Sequence, residues 1–140
     1  MVTIDTSTNF GARIAHQLAH EEIMWLTTVD ATNTPQPVPV WFLWDGQSML
    51  IYSQPNKPKL RNSARNPHVS LHFNTEPMGE EVGVFIGTIA VDPSAPLANQ
   101  SPDFLQKYGE GIVRIGMTKD TYAASYSVAL RFTPERVRGQ

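Results

Sequence analysis

Four basic residues are concentrated in one short stretch, where their charges could bind an anion. Lys57, Lys59, Arg61 and Arg65 lie within nine positions and are four of the eleven lysines and arginines of the chain. No aspartate or glutamate occurs at positions 46–75 to neutralise them. A solvated surface would explain one or two such charges, whereas four together favour charge-assisted hydrogen bonds to phosphate oxygens. The stretch therefore predicts a phosphate-binding site.

The position of this basic stretch strengthens the prediction. It follows an apolar strand at 49–53 and passes through Pro55 and Pro58 into a short helix. The helix should end at Asn66, because the residue before a proline is pushed away from the α-helical region. A phosphate at the start of such a helix gains from the free N–H groups of the first turn as well as from the cations.

Other chemical constellations are weaker. The pairs His16/His20 and His68/His72 have no carboxylate at a matching period, so no metal site is predicted. Cysteine is absent, and so are the Gly-x-Ser-x-Gly elbow, the Gly-x-Gly-x-x-Gly turn and the Walker loop. The sequence marks no catalytic acid or base. This favours either a binding protein or chemistry that a cofactor carries.

Length and composition predict one folded domain over residues 1–140. The chain is 41% hydrophobic and 17% charged, as is usual for globular proteins. A net charge of −2 gives no general attraction to nucleic acid or to an anionic membrane. The first residues lack the basic and apolar pattern of a leader sequence, and no apolar run approaches the roughly 18 residues that would span a bilayer. These features predict a cytosolic protein without nucleic-acid or membrane partners.

Hydrophobic periodicity and turn residues predict a mainly β protein with flanking helices. Asp45-Gly46 is a strong hairpin signal, and the first three strands should form a meander. Six antiparallel strands indicate a small barrel. The predicted strands are 23–29, 38–44, 49–53, 68–74, 82–91 and 127–132, and the helices are 9–21, the basic stretch, a segment from Pro102 that Gly109 and Gly111 interrupt, and 119–125.

Prolines and glycines place further constraints on these strands. Pro37 and Pro39 alternate in the second strand, which should therefore lie at a sheet edge or contain a bulge. Gly83 and Gly87 share one face of the strand 82–91 and predict a barrel bend or a close backbone approach there.

Two strands, 38–44 and 82–91, place apolar residues on both faces. One small barrel cannot hide so much apolar surface, so we expect both faces of 82–91 to be buried and a twofold homodimer to form. Trp41 lies on the strand before the hairpin that leads to the basic stretch. A flat heteroaromatic ring attached to the predicted phosphate could lie against it.

The order of several short motifs resembles the pyridoxamine-phosphate-oxidase-like, FMN-binding-like split β-barrel superfamily. The likeness is closer to the branch that uses the deazaflavin coenzyme F420 than to the oxidase itself. It covers about residues 10–91 by pattern, and residues 126–138 resemble the C-terminal strand of that branch. The motifs are Pro35-x-x-x-Pro39-Val-Trp-Phe42, Asp45-Gly46, Lys59-Leu-Arg-Asn62 and Arg65-Asn-Pro67.

This resemblance implies a homodimer with a cofactor at each of two sites between the subunits. Lys59 corresponds to the phosphate-binding lysine of the family, and Arg61 and Asn62 correspond to an Arg-Asn pair of the deazaflavin branch. The backbone near Trp41 would border the ring, with the end of strand 49–53 beneath it. The implied cofactor-binding residues are Pro39, Val40, Trp41, Tyr52, Ser53, Lys57, Lys59, Arg61 and Asn62.

One departure separates the chain from the oxidase. The oxidase holds phosphate with a Ser-Arg-Lys triplet, and this chain has Lys57-Pro58-Lys59. The resemblance thus favours F420 over FMN and implies hydride transfer from reduced deazaflavin to a small unsaturated or carbonyl substrate. An FMN-dependent reductase or oxidase and a non-catalytic flavin- or haem-binding dimer remain the alternatives. The segment 93–119 could cover the pocket, although it carries no recognisable chemistry.

Overall fold

The structure is a computed structural model in which residues 2–140 are described. Over this range, no helix has both the length and the apolar character needed to cross a membrane. The strands are β1 (Ile23–Val29), β2 (Pro35–Trp41), β3 (Leu43–Trp44), β4 (Met49–Ser53), β5 (His68–His72), β6 (Gly83–Val91) and β7 (Val128–Gly139). The α-helices are α1 (Asn9–His20), α2 (Pro58–Arg65), α3 (Pro102–Arg114) and α4 (Lys119–Ser125), and a 3₁₀ turn spans Ala98–Gln100.

These strands form one antiparallel sheet in the order β2-β1-β5-β6-β7-β4-β3. Its two edge strands, β2 and β3, are consecutive in the chain and only Phe42 separates them. The sheet consequently curls into a half-barrel whose two edges approach each other at this residue. The mainly β architecture with flanking helices is confirmed. Seven strands are present in residues 2–140 where six were predicted, because the predicted strand 38–44 divides at Phe42.

Hydrogen bonds from α3 explain this division. The Phe42 N–H donates to the Tyr108 hydroxyl at 2.9 Å, and that hydroxyl lies 2.7 Å from the Phe42 carbonyl oxygen. The Lys107 ammonium donates to the same carbonyl at 3.1 Å. Buried backbone groups need hydrogen-bond partners, and here helical side chains supply what a neighbouring strand would otherwise supply.

Both pairings of the predicted meander of the first three strands are present, but its middle strand is divided at Phe42. β1 pairs with β2 and β3 pairs with β4, but these two hairpins lie at opposite ends of the sheet. β4 instead takes β7 as its second neighbour. The predicted edge position of the proline-rich strand is confirmed, since Pro35, Pro37 and Pro39 all belong to the edge strand β2.

The close backbone approach predicted in β6 is confirmed at Gly87. The register between β6 and β7 shifts between Ile86 and Gly87, and Gly87 lies opposite Pro134. A Cβ atom at Gly87 would lie 2.2 Å from the Thr133 carbonyl oxygen, so only glycine fits.

The prediction that both faces of this strand are buried is wrong for a single chain. Phe85 and Ile89 are buried, whereas the side chains between them are partly exposed.

Helix α3 contradicts the predicted interruption at two glycines. Gly109 and Gly111 both lie inside the continuous helix Pro102–Arg114. Gly111 allows the helix to pack closely against Trp41, since a Cβ atom there would lie 3.3 Å from the Trp41 ring. The basic residues near the C-terminus also belong to a regular element, because β7 continues to Gly139.

Two apolar clusters stabilise the molecule. The first fills the concave side of the sheet, and the second lies between the sheet and the helices α3 and α4. The first includes Ile14, Met24, Leu26, Phe42, Ile51, Leu71, Phe85 and Phe132. The second includes Leu50, Tyr52, Phe104, Tyr108, Ile112 and Tyr122, with Trp41 and Tyr126 packed against it. Of the predicted site residues, Tyr52 belongs to this second cluster and Trp41 packs against it, whereas Val40 belongs to the first.

Candidate functional site

Almost all of the predicted site residues line two adjoining cavities. We call them the aromatic cavity, of about 270 Å³, and the basic cavity, of about 490 Å³. Lys59 lines both of them. The aromatic cavity is lined by Ile23, Pro39, Val40, Trp41, Tyr52, Lys59, Ile115, Tyr122 and Tyr126. The basic cavity is lined by Thr28, Asp30, Gln36, Val38, Lys57, Pro58, Lys59, Arg61 and Asn62.

Eight of the nine predicted cofactor-binding residues therefore meet at one place. Pro39, Val40, Trp41 and Tyr52 line the aromatic cavity, and Lys57, Arg61 and Asn62 line the basic cavity, with Lys59 between them. Ser53 lines neither cavity. It is fully buried, and its hydroxyl donates to the Gln54 carbonyl at 2.8 Å.

Helix α2 presents the basic residues to the cavity. Pro58 occupies its first turn, where a fixed φ angle and a missing N–H are tolerated. The Asn62 amide donates to the Thr28 hydroxyl at 3.1 Å and ties the helix to β1. Arg65 donates to the Val29 carbonyl at 3.0 Å and to the Asn62 side-chain oxygen at 3.3 Å. Arg65 thus anchors the helix and does not line the basic cavity.

Lys59 is the residue best placed to hold a phosphate group. Its side chain is half-buried, and its ammonium has no hydrogen-bond or ion-pair partner in the part of the chain that the structure describes. Burial, and then the neighbouring Lys57 charge, lower the Lys59 pKa below its ordinary value. A partly desolvated cation needs an anionic partner. A phosphate at the junction of the two cavities would supply one.

The structure adds an acidic residue that the linear sequence did not associate with the site. Asp30 follows β1 and lines the basic cavity. Its carboxylate accepts hydrogen bonds from Thr32, Thr34 and Gln36. These hydrogen bonds hold the Asp30 pKa well below its usual range, and the bond from the Thr32 hydroxyl has the largest effect. Three cationic side chains face this one carboxylate, so the lining of the cavity remains positively charged.

A column of nearly parallel aromatic rings forms one wall of the aromatic cavity. The Trp41 ring lies 4.7 Å from Tyr108 and 5.5 Å from Tyr122, with angles between the ring planes of 8° and 17°. Tyr122 in turn stacks on Tyr126 at 4.3 Å and 11°. Tyr52 is held differently, because its hydroxyl donates to the Pro96 carbonyl at 2.6 Å. Because these rings are stacked on one another, a flat heteroaromatic ring in the cavity would meet the wall edge to face, which is one of the preferred aromatic geometries.

Residues after position 93 contribute more to the site than the sequence indicated. Ile115 follows α3, and Tyr122 and Tyr126 lie in or next to α4. The spacing of four between the two tyrosines places them on one helical face, and this signal was present in the sequence. What the spacing does not show is that this face lies against Trp41.

The chain belongs to the pyridoxamine 5'-phosphate oxidase family, since the sequence profile of that family matches residues 10–140. This agrees with the resemblance noted in the motifs. A comparison with curated protein sequences finds no match.

Solved structures share the fold at low sequence identity. An F420 reductase is 21% identical, with 89% of this chain and 95% of that chain covered and a TM-score of 0.66. The haem storage protein HutZ of Vibrio cholerae is 16% identical, with 94% and 95% covered and a TM-score of 0.66. A FAD-binding protein of Mesorhizobium loti is 18% identical, with 90% and 88% covered and a TM-score of 0.64. At these identities the likeness shows the fold alone, and the three names point to different cofactors.

Proposed function

We propose that this protein is an oxidoreductase that uses coenzyme F420 and transfers hydride from the reduced deazaflavin to a small unsaturated or carbonyl compound. The observation that carries the proposal is the meeting of the two cavities at Lys59. One cavity has a wall of aromatic residues and the other a cluster of cations. This arrangement fits a cofactor that joins a planar ring to a phosphate.

In this proposal, Lys57, Lys59 and Arg61 bind the phosphate. The replacement of the oxidase's arginine by Pro58 favours the deazaflavin over FMN. Trp41 and the backbone of Pro39 and Val40 border the ring. When bound, the reduced deazaflavin supplies the hydride, and the protein contributes orientation and the exclusion of water.

The proposal includes a homodimer with the cofactor sites between the subunits. On the outer face of the sheet, partly exposed side chains lie side by side across β1, β5 and β6. Trp25 is opposite His72, which is opposite Val84, and Ser70 is opposite Ile86. A second subunit on this face would cover these apolar groups, which explains why β6 is rich in apolar residues on both faces.

The alternative cofactors share parts of this fit. FMN also joins a flat ring to a phosphate, and a FAD-binding protein is among the structural neighbours. Phosphate binding at Lys59 alone would therefore support an FMN-dependent reductase equally well. Haem has no phosphate, although its propionates would pair with the cations of the basic cavity, and no histidine is among the residues that line the two cavities to ligate its iron.

Spectral titration tests the proposal. We expect the purified protein to bind F420 more tightly than FMN and to show no haem band. Each charge-assisted contact to a phosphate contributes about 1.5–3 kcal/mol, so Lys59→Ala should weaken F420 binding roughly ten- to hundredfold. Lys119→Ala, at an exposed position of α4, is the matched control and should leave the affinity unchanged. Equal affinity of the wild-type and Lys59→Ala proteins for both F420 and FMN would contradict the site assignment.

A further inference from the structure

The Tyr122 hydroxyl is a buried polar group that the fold does not use. Only 3% of the residue is exposed, yet within residues 2–140 its hydroxyl has no hydrogen-bond partner. Buried polar groups are almost always paired, so an unpaired one calls for an explanation. The Tyr122 oxygen is not fully buried. Among the described residues, Asn99 Oδ1 is the one side-chain polar atom that is both fully buried and without a hydrogen-bond partner, so the unpaired Tyr122 oxygen must keep some accessible surface. Tyr122 lines the aromatic cavity, where a bound molecule would supply its hydroxyl with a partner.

The position of the Tyr122 ring is fixed on both sides. Trp41 lies 5.5 Å away on one side and Tyr126 lies 4.3 Å away on the other. Helix α4 is fixed as well, because Thr118 and Thr121 form a capping box at its start. A donor held in this way needs no reorganisation when charge develops near it, which is the condition for electrostatic stabilisation of a transition state.

The surroundings of Tyr122 keep its hydroxyl protonated. Burial, and then the neighbouring oxygens of Tyr126 and Tyr52, raise the Tyr122 pKa well above its ordinary value. At neutral pH the group is therefore a hydrogen-bond donor. The other tyrosines of the cavity differ, since the Tyr52 hydroxyl donates to Pro96 and Tyr126 is half-exposed.

We propose that Tyr122 is a catalytic residue that donates a hydrogen bond, and then its proton, to the carbonyl oxygen of a conjugated carbonyl substrate. This inference rests on the proposed function. Hydride from the reduced cofactor forms a bond to the β-carbon, the C=C electron pair moves to the oxygen, and the phenol proton forms the O–H bond of an enol. The cofactor is oxidised, the substrate is reduced, and the enol becomes the saturated ketone. The Tyr122 phenolate then recovers a proton from solvent.

The test uses cyclohex-2-enone as the probe substrate and Tyr122→Phe as the variant. Phenylalanine keeps the ring stack and removes only the unpaired hydroxyl, so the folding stability and the affinity for F420 should be unchanged. Single-turnover oxidation of bound reduced F420 by the enone should slow by about a hundredfold to a thousandfold, as when one oxyanion donor is lost. A smaller solvent isotope effect in the variant would show that the missing group transferred the proton.

A second measurement does not depend on turnover. With 3-fluorotyrosine at position 122 and oxidised F420 bound, addition of the enone should shift the fluorine resonance, because the hydroxyl gains an acceptor. An unshifted resonance, no turnover of the enone by the wild-type protein, or equal turnover by both proteins would overturn the inference while F420 binding is intact. Failure of the wild-type protein to bind F420 or FMN would contradict the proposed function itself and remove the basis of the inference.

Discussion

At the residue scale, Lys107 and Tyr108 act together where the sheet divides. Tyr108 is fully buried, and its hydroxyl also lies 2.8 Å from the Glu22 carbonyl oxygen. The Lys107 ammonium lies 3.7 Å from the centre of the Phe42 ring and donates to the Leu18 carbonyl at 3.5 Å. Two adjacent side chains of α3 thus hold the end of α1 and the junction of the two edge strands. This junction directly follows Trp41 and thereby fixes the wall of the aromatic cavity.

Lys107 should make the stability of the fold depend on pH. Burial lowers the Lys107 pKa to about 8 from an ordinary value of 10.5, although Glu22 and Glu21 oppose this shift. Between these two pH values the unfolded chain binds more protons at this group than the folded chain does, so the contribution to stability rises with pH. The free energy of unfolding of the wild-type protein should therefore increase from pH 7 to pH 9 relative to that of Lys107→Met. Urea denaturation at several pH values measures the difference, and parallel curves would contradict the assignment.

At the element scale, two glycines of α3 have different roles in the same helix. A Cβ atom at Gly109 would meet no atom within 4 Å, whereas one at Gly111 would lie 3.3 Å from Trp41. An alanine in a helix interior is more favourable than a glycine by about 1 kcal/mol. We expect Gly109→Ala to stabilise the protein by about that amount, and Gly111→Ala to gain less because the helix must move away from Trp41. Urea denaturation of the two variants provides the comparison, and equal gains would show that Gly111 is not needed for packing.

At the scale of the whole molecule, the outer face of the sheet should control assembly. Ile86 lies on this face, opposite Ser70 of β5 and Arg136 of β7. An arginine in its place would bring an unpaired charge into the proposed subunit interface and lie close to Arg136, so Ile86→Arg should convert the proposed dimer into a monomer. Sedimentation velocity measures this change. Met78→Arg is the control, since Met78 is 77% exposed on a loop. A wild-type monomer, or a variant that remains dimeric, would contradict the proposed interface.

The sequence alone determined the features that depend on neighbours along the chain. The start and end of α2 follow from Pro58 and Pro67, and the concentration of cations in this helix needs no tertiary contact. Alternating prolines at Pro37 and Pro39 exclude a central strand because they lack N–H donors, whatever the sheet order. Such local signals, together with the family resemblance, were enough to predict the fold class. They were also enough to predict eight of the nine cofactor-binding residues that the structure brings to the cavities.

Only the tertiary structure decided how distant segments meet. The division of the strand at Phe42 requires the Tyr108 hydroxyl, which lies 66 positions further along the chain. The approach of Asp30 to the cations, and of Tyr122 to Trp41, likewise depends on how the sheet curls and where α4 packs. Hydrophobic periodicity shows which face of an element is apolar but not which other element covers it. For this reason, the cluster of cations and the residues Trp41 and Tyr52 could be predicted from the sequence, whereas the contribution of Tyr122 and Tyr126 to the aromatic wall, and the unpaired Tyr122 hydroxyl, could not.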